Sequence, residues 1–551
     1  MTFANESRKT ANRFLQTVLV VDDRAFDEQS TPKPPPKVSL KTPGRGGTKD
    51  NQPSTEAEKK AEGDSEHDFE AEVLIKEFST RNLFCSVLSP KEGDFEELSK
   101  QISPVALTAD ILVFDWVLAP GGSGEGQETL QLIQEIIEFD DDTAEVDRLR
   151  QIAIYTGTPN LYSIVDKIRE SLEDNIIEEQ VQDVDDFTLR QGNVQVSVYA
   201  KDTSSISEDN PPVFERKKSL KDLPDALISD FTDMTRGLVS NTAVYSLAVL
   251  RENASRLLST FHRGLDAPYL EHRAMLTNPE DAEEYLVRLI TSEIGAVLEA
   301  ADARTPVDMK SIEAWLDHVF EDLPQPETVF KDGKEPDKSS LLSLIEQGAG
   351  GTDLPETLEN FGKYGRNAHK KGIAETLSAN GFDSEDSVFE FAALTLLQSK
   401  YSSSPPMLTL GTILREKTEG TPSYWLCVQP RCDSVRIKDN RNFPLLPTRI
   451  TSGNKKRHLI IKDGGKFQKL KINFTPHEVE MITFAPRQND TVIKAEHRDK
   501  EFIFRSVSGV EYTWVSDLKF EQAQRIAQQY ANKIARVGLD ESERLRRRAP
   551  W

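Results

Sequence analysis

Cysteine is scarce. The 551-residue chain has 3, Cys85, Cys427 and Cys432, an odd and scattered set that argues against a disulfide framework and for a reducing compartment, by default the cytoplasm. Long apolar runs are missing too. No stretch approaches the ~18 residues of a membrane span, and the polar opening MTFANESRKTANR has no signal-peptide core, so neither membrane insertion nor secretion is expected. Positive charge is in deficit: 68 Lys and Arg face 92 Asp and Glu, a net charge of −24, which repels nucleic acid and anionic lipid at long range. Hydrophobic residues make up only 37%, so solvated stretches must separate the apolar cores. What the chain has is length, and at ~150 residues per domain three to four domains are expected.

Charge is unevenly spread. Residues 401–551 carry 27 Lys and Arg against 17 Asp and Glu, a basic module on an acidic body. The first apolar run, TVLVVDD, reads as a buried strand ending in two acids. Residues 26–67 are Pro-, Lys-, Gly- and Glu-rich and read as a disordered insertion. Helix-like and strand-like segments then alternate: FEAEVLIKEFSTRN, LFCSVLS, DFEELSKQI, DILVFDW, ETLQLIQEIIEF, QIAIYTG, LYSIVDKIRESLED and NVQVSVYAKD. Such alternation predicts βαβ units and a mostly parallel sheet. Helices without strands follow, one of them announced by Asn278 as N-cap and Pro279 in its first turn. From Pro406 short strands with Gly, Asn and Asp turns predict a barrel or sandwich closed by a helix near 519–537. The expected domains are 14–205 (α/β), 218–322 (helical), 340–400 (a mixed helical connector) and 405–551 (β-rich, basic). No internal repeat, nucleotide-binding loop, HExxH or helix-turn-helix is evident.

Parallel α/β sheets bind ligands at the carboxyl ends of their strands. In this chain those ends carry Asp22 and Asp23, Asp115, Thr156 and Lys201. Converging on one rim, the carboxylates repel one another unless a hard cation lies among them, and Mg²⁺ suits that demand. With the cation bound, an incoming phosphoryl group would meet Asp115 as nucleophile, Lys201 as a point charge and Thr156 as a hydroxyl donor.

VLVVDD, ILVFDW, IAIYTG and VSVYAK, in this order, resemble the strand ends of the receiver domain of two-component response regulators, over about residues 14–205. The resemblance implies a flavodoxin-like fold, Asp115 as phosphoacceptor, and Mg²⁺ held by Asp22, Asp23, Asp115 and the backbone carbonyl of Val117. It implies Thr156 and Tyr199 as switch residues and a histidine kinase or related sensor ATPase as partner. Two departures stand out: Asp202 replaces the usual Pro after the lysine, and the switch aromatic's usual position is Val198, with Tyr199 one residue later. The wider layout resembles divergent receiver proteins of bacterial conflict and phage-defence systems. A phosphorylation-independent pseudo-receiver scaffold is the rival reading, and a homodimer is compatible with either.

The C-terminal part is less explicit. Gln429, Arg431, Asp433 and Arg436 form a polar cluster, either a recognition surface or a strand-end turn. Cys427, Cys432 and His458 are too few for a structural zinc site, but an effector enzyme using Cys432, Asp433 and His458 is an alternative. Tyr424, Trp425 and Trp514, with the basic runs 455–457 and 544–548, suit single-stranded nucleic acid or, the favoured reading, a barrel core and a self-docking basic patch. The basic run KYGRNAHKKG reads as a solvated loop.

Overall fold

A computed structural model describes residues 2–23, 25, 71–90, 100, 102, 104–118, 125–143, 148–174, 180–321, 338–348, 385–400, 404–417, 422–452, 458–487, 490–499 and 501–535. The insertion read over 26–67, most of the DFEELSKQI helix, the KYGRNAHKKG run and the basic runs 455–457 and 544–548 lie outside the described residues. The chain divides into two compact units, Met1–Leu323 and Pro324–Trp551.

The first unit opens with helix α1 (Phe3–Phe14), then strand β1 (Thr17–Val21), α2 (Ala71–Thr80), β2 (Phe84–Leu88), β3 (Ile111–Phe114), α3 (Gln127–Thr143), β4 (Arg150–Thr156) and α4 (Leu161–Glu173). A hairpin, β5 (Gln182–Asp185) and β6 (Thr188–Gln191), precedes β7 (Val194–Lys201), the short α5 (Pro211–Glu215) and β8 (Lys217–Lys218). The sheet order is β2-β1-β3-β4-β7-β6-β5, with β8 beside β7. The first five strands are parallel, and β5 and β6 continue the sheet antiparallel. This is the flavodoxin-like order, extended by the hairpin. The strands TVLVV, ILVF and QIAIYT are nearly continuous β-formers because helices cover both of their faces, and a polar residue within them, such as the buried Gln151, needs a partner, here the Leu227 carbonyl.

Alternation along the strands divides two cores. Leu112, Phe114, Ile152, Ile154, Val196 and Val198 face α3 and α4, whereas Ile111, Val113, Ala153, Tyr155 and Tyr199 face the other side, as the two-residue strand period requires. Helix α4 buries Leu161, Ile164, Val165, Ile168 and Leu172 on one stripe and is capped by the Asn160 carboxamide, which accepts the Ser163 N–H. Each such side chain contributes about 1.5–3 kcal/mol. Helix α6 (Leu223–Thr235) sends Leu223, Leu227, Ile228 and Phe231 into the second core beside Leu74 and Phe78 of α2, so the fold that frames the strand ends continues beyond residue 205.

The unit ends in helices α7 (Leu238–Thr260), α8 (Asp266–Met275), α9 (Asp281–Ala300) and α10 (Met309–Glu321). Helix α9 starts later than its sequence signal. Glu280, not Asn278, is the cap residue, because the Asn278 and Pro279 carbonyls accept the N–H groups of Asp281 and Ala282 in a preceding turn. Helix α1 ties this part to the sheet. Arg13 makes a two-pronged ion pair with Glu252 at 2.6 and 2.7 Å, Phe14 stacks on Phe231, and Asn241 donates to Ser7 in a buried hydrogen bond.

The second unit contains α11 (Lys338–Gln347), α12 (Glu385–Leu396) and an antiparallel sheet of β9 (Leu397–Gln398), β10 (Thr412–Glu416), β11 (Ser423–Cys427), β12 (Arg441–Ile450), β13 (Leu459–Asp463), β14 (Lys466–Ile472), β15 (Glu480–Phe484), β16 (Glu496–Arg498), β17 (Glu501–Arg505) and β18 (Glu511–Leu518), then α13 (Phe520–Ile534). Strand β12 pairs with β15 through its first half and with β14 through its last residues. A Phe484–Ser506 bridge brings β15 back to the end of β17, curling the sheet round Phe443, Phe484, Phe504 and Tyr512. Leu518, Ala523 and Ile526 join a second core on the opposite face.

Candidate functional site

Strand register builds the site. Val21 pairs with both Leu88 and Phe114, Phe114 with Ile154, and Thr156 with Ala200, so the ladder ends place Asp22, Asp115, Thr156 and Lys201 at one rim. Two further bonds extend the ladder into the acids: Asp22 N–H donates to Leu88 O at 3.0 Å and Asp115 N–H to Val21 O at 2.9 Å. The backbone that carries the two carboxylates is therefore held by the sheet itself.

Asp22, Asp23 and Asp115 each offer a carboxylate oxygen, and the three oxygens lie within 4.8 Å of one another. Lys201 Nζ donates to Asp22 Oδ2 at 2.8 Å and to Asp115 Oδ2 at 2.6 Å, and all three of these side chains are buried. Burial raises the Asp115 carboxyl to about 6; Lys201 works against that rise, and Asp22 and Asp23 add to it. For Lys201, burial opposes the charge but the two carboxylates outweigh it and hold the ammonium above its ordinary range. An all-oxygen donor set of three carboxylates suits a hard divalent cation, so the residues fit Mg²⁺.

Thr156 is buried at the end of β4, and its Oγ1 accepts the Thr158 N–H at 3.1 Å. A hydroxyl that accepts in this way retains its own O–H for donation. Val117 packs partly buried on the core two residues after Asp115. Tyr199 departs from the expected pairing with Thr156. It belongs to the core on the α6 side, while Val198 and Ile154 belong to the opposite core, and strand alternation puts Thr156 on the Ile154 side. The Tyr199 hydroxyl donates instead to the Asp230 carboxylate of α6, 2.8 Å from each oxygen, beneath the Arg216 guanidinium. Burial, then Asp230, pushes the Tyr199 phenol up, and burial does the same to the Asp230 carboxyl.

Spacing alone missed three neighbours. Thr129 Oγ1 donates to the carbonyls of Asp115 and Trp116 at 2.8 and 3.0 Å, pinning the chain as it leaves β3. Gly126 has φ +77°, and a Cβ there would lie 2.2 Å from the Trp116 ring. In sequence, Gly126 and Thr129 lie at and beyond the end of a Gly-rich stretch, GGSGEG, which hides their relation to Asp115 and Trp116.

In the second unit, Gln429 Nε2 donates to Asp433 O at 3.3 Å, Arg431 lies over the Phe520 ring, and Arg436 has φ +57°, which places this cluster on a tight turn after β11. Cys427 is buried in the core and its thiol is pushed up to about 12 by burial, whereas Cys432 is exposed. His458 Nδ1 accepts the Ile472 N–H. Tyr424 and Trp425 are buried, with their polar atoms on Asp463 and Glu416, and Trp514 Nε1 donates to Asp517.

Residues 14–205 match the family model of the response receiver domain. The match takes in every strand-end residue of the rim, covers about a third of the chain, and connects it with response-regulator-like signalling in general. No curated protein and no solved structure matches. No helix among the described residues is long and apolar enough to cross a membrane.

Proposed function

We propose that the chain is a phosphorylation-dependent signalling protein in which Asp115 accepts a phosphoryl group from a histidine kinase or related donor. An Asp115 carboxylate oxygen attacks phosphorus, the acyl-phosphate P–O bond forms, and the P–N bond to the donor histidine breaks, the imidazole leaving to take up a proton. Lys201 moves from bridging two carboxylates to pairing with a phosphoryl oxygen, and Thr156 turns its hydroxyl toward another. Asp22, Asp23, Asp115 and the Val117 carbonyl would hold Mg²⁺, which when bound neutralises charge shared by the carboxylates and the phosphoryl oxygens. The observation that carries this reading is the shared ammonium: Lys201 reaches both Asp22 and Asp115 within hydrogen-bond distance inside a rim of three carboxylates.

The phosphorylated rim would pass its signal to the basic β-rich module. A setting in bacterial stress response or phage defence rests on the likeness of the layout. A cytoplasmic location follows from the cysteine usage. Calorimetric titration with Mg²⁺, with and without beryllofluoride as a phosphoryl mimic, tests the site. Mg²⁺-dependent retention of beryllofluoride that Asp115→Asn abolishes is the expected outcome, and equal behaviour of the two proteins contradicts it.

One observation favours the pseudo-receiver reading. Lys201 already supplies cationic charge to Asp22 and Asp115, so a scaffold with this rim needs no metal to be stable. Absence of Mg²⁺ binding in the same titration selects it.

A further inference from the structure

On the Tyr199 side of the sheet, a cleft of about 680 Å³ opens between β7, α5, β8 and α6, with Tyr199, Phe214, Arg216, Lys218, Ser229 and Asp230 in its lining. Its volume falls within the ~300–1,000 Å³ of small-molecule sites. A short run of sequence, NPPVFERKKS, builds one wall. Pro211 and Pro212 open α5, where Val213 is buried while Phe214, the next residue round the helix, is 38% exposed. Strand β8 then runs parallel to the end of β7, Lys217 beside Ala200 and Lys218 beside Lys201. Lys201 lies two residues beyond Tyr199, so this register puts Lys218 on the Tyr199 side of the sheet.

Most polar groups of the cleft already have partners. The Tyr199 hydroxyl donates to the Asp230 carboxylate, 2.8 Å from each oxygen, and the Lys217 ammonium donates to the Ser204 carbonyl at 3.0 Å. Arg216 Nη2 donates to the Asp185 carboxylate and to the Thr188 hydroxyl. It makes both bonds through one nitrogen, so its other N–H groups remain for a further acceptor. Two groups stand apart. Among the described residues, neither the half-buried Lys218 ammonium nor the Ser229 hydroxyl has a hydrogen-bond or ion-pair partner. All the open valences named here are donors, which an oxyanion satisfies. Of the two carboxylates in the lining, Asp230 is covered by Tyr199, and Glu215 is exposed, where water and salt screen it.

We propose that this cleft binds a small phosphate ester carrying a flat ring, the chemistry of a nucleoside monophosphate. The phosphate takes the Lys218 ammonium, with the Ser229 hydroxyl and the remaining Arg216 N–H groups as further donors, and the ring stacks on the exposed face of Phe214. One ammonium without a counter-ion suits a single phosphate rather than a chain of them.

Calorimetric titration of the full-length chain with adenosine monophosphate, ribose 5-phosphate and inorganic phosphate tests the proposal. It is run in EDTA, so that no divalent cation occupies the Asp22, Asp23 and Asp115 rim and the result does not depend on phosphoryl acceptance there. Adenosine monophosphate should bind with a Kd below ~1 mM, ~5-fold or more tighter than either ligand without the ring. Lys218→Ala should weaken it ~10-fold or more, and Lys218→Arg should not. Phe214→Ala should bring adenosine monophosphate down to the affinity of ribose 5-phosphate. Neither truncation removes a buried side chain, and an unchanged far-ultraviolet circular dichroism spectrum verifies the fold of each variant. Absence of binding at millimolar adenosine monophosphate would overturn the proposal. So would binding that survives both truncations, or inorganic phosphate binding as tightly as the nucleotide.

Discussion

Lys201 and Asp115 lie 2.6 Å apart at the ends of two strands of one parallel sheet, with Asp22 on the other side of the same ammonium at 2.8 Å. One cation thus serves two buried carboxylates. Removing it leaves uncompensated buried charge, which costs on the order of 3–5 kcal/mol. Lys201→Met should lower the thermal midpoint of the metal-free protein, and Mg²⁺ should restore more stability to the variant than it adds to the parent. Thermal denaturation with and without Mg²⁺ measures this, and equal Mg²⁺ stabilisation of the two proteins would count against a cation site at the rim.

The raised Asp115 carboxyl sets the pH dependence. With the group at about 6 in the folded chain, against an unfolded carboxyl near about 4, its contribution to stability is fully present below about pH 4 and is lost as pH rises through about 6. The sign for function is opposite, since only the ionised form binds a cation or attacks phosphorus. Mg²⁺ affinity should therefore rise between pH 5 and pH 7.5 with a midpoint near about 6, readable by calorimetry. A midpoint at the ordinary carboxyl value would show that Asp115 is not the group governing the site.

Tyr199 gives a prediction about direction of signal. Its hydroxyl is on Asp230 of α6, on the sheet face opposite Thr156. Tyr199→Phe should cost about 1–2 kcal/mol and speed amide exchange in residues 223–235, with little change in α4. Exchange that instead rises in α4 would place Tyr199 with Thr156 after all.

Gly126 brings the backbone against the Trp116 ring as the chain enters α3. At φ +77°, with the Trp116 ring where a Cβ would go, Gly126→Ala should destabilise the first unit by about 2 kcal/mol or more and slow phosphoryl acceptance without abolishing it. Urea denaturation alongside the phosphorylation rate checks both effects.

Much of the rim was legible because β1, β3, β4 and β7 are apolar runs with a candidate site residue at or just past the end, and parallel register aligns such ends without any further specification. The β5–β6 hairpin was not, because QDVD is exposed and polar and shows no strand alternation. Helix α6 looked like the start of a separate helical domain, since amphipathic spacing reports that a helix has a buried face but not which core receives it. Tyr199 shows the same limit in a single residue. A one-position offset from the usual place of the switch aromatic is invisible as chemistry, but in a strand it moves the ring to the other side of the sheet.

The central claim is that Asp115 accepts phosphate, and intact mass after incubation with acetyl phosphate and Mg²⁺ tests it most directly. One added phosphoryl group, dependent on Mg²⁺ and absent from Asp115→Asn, is the predicted result. No added mass in a protein that also fails to bind Mg²⁺, or an addition that persists in Asp115→Asn, would contradict it.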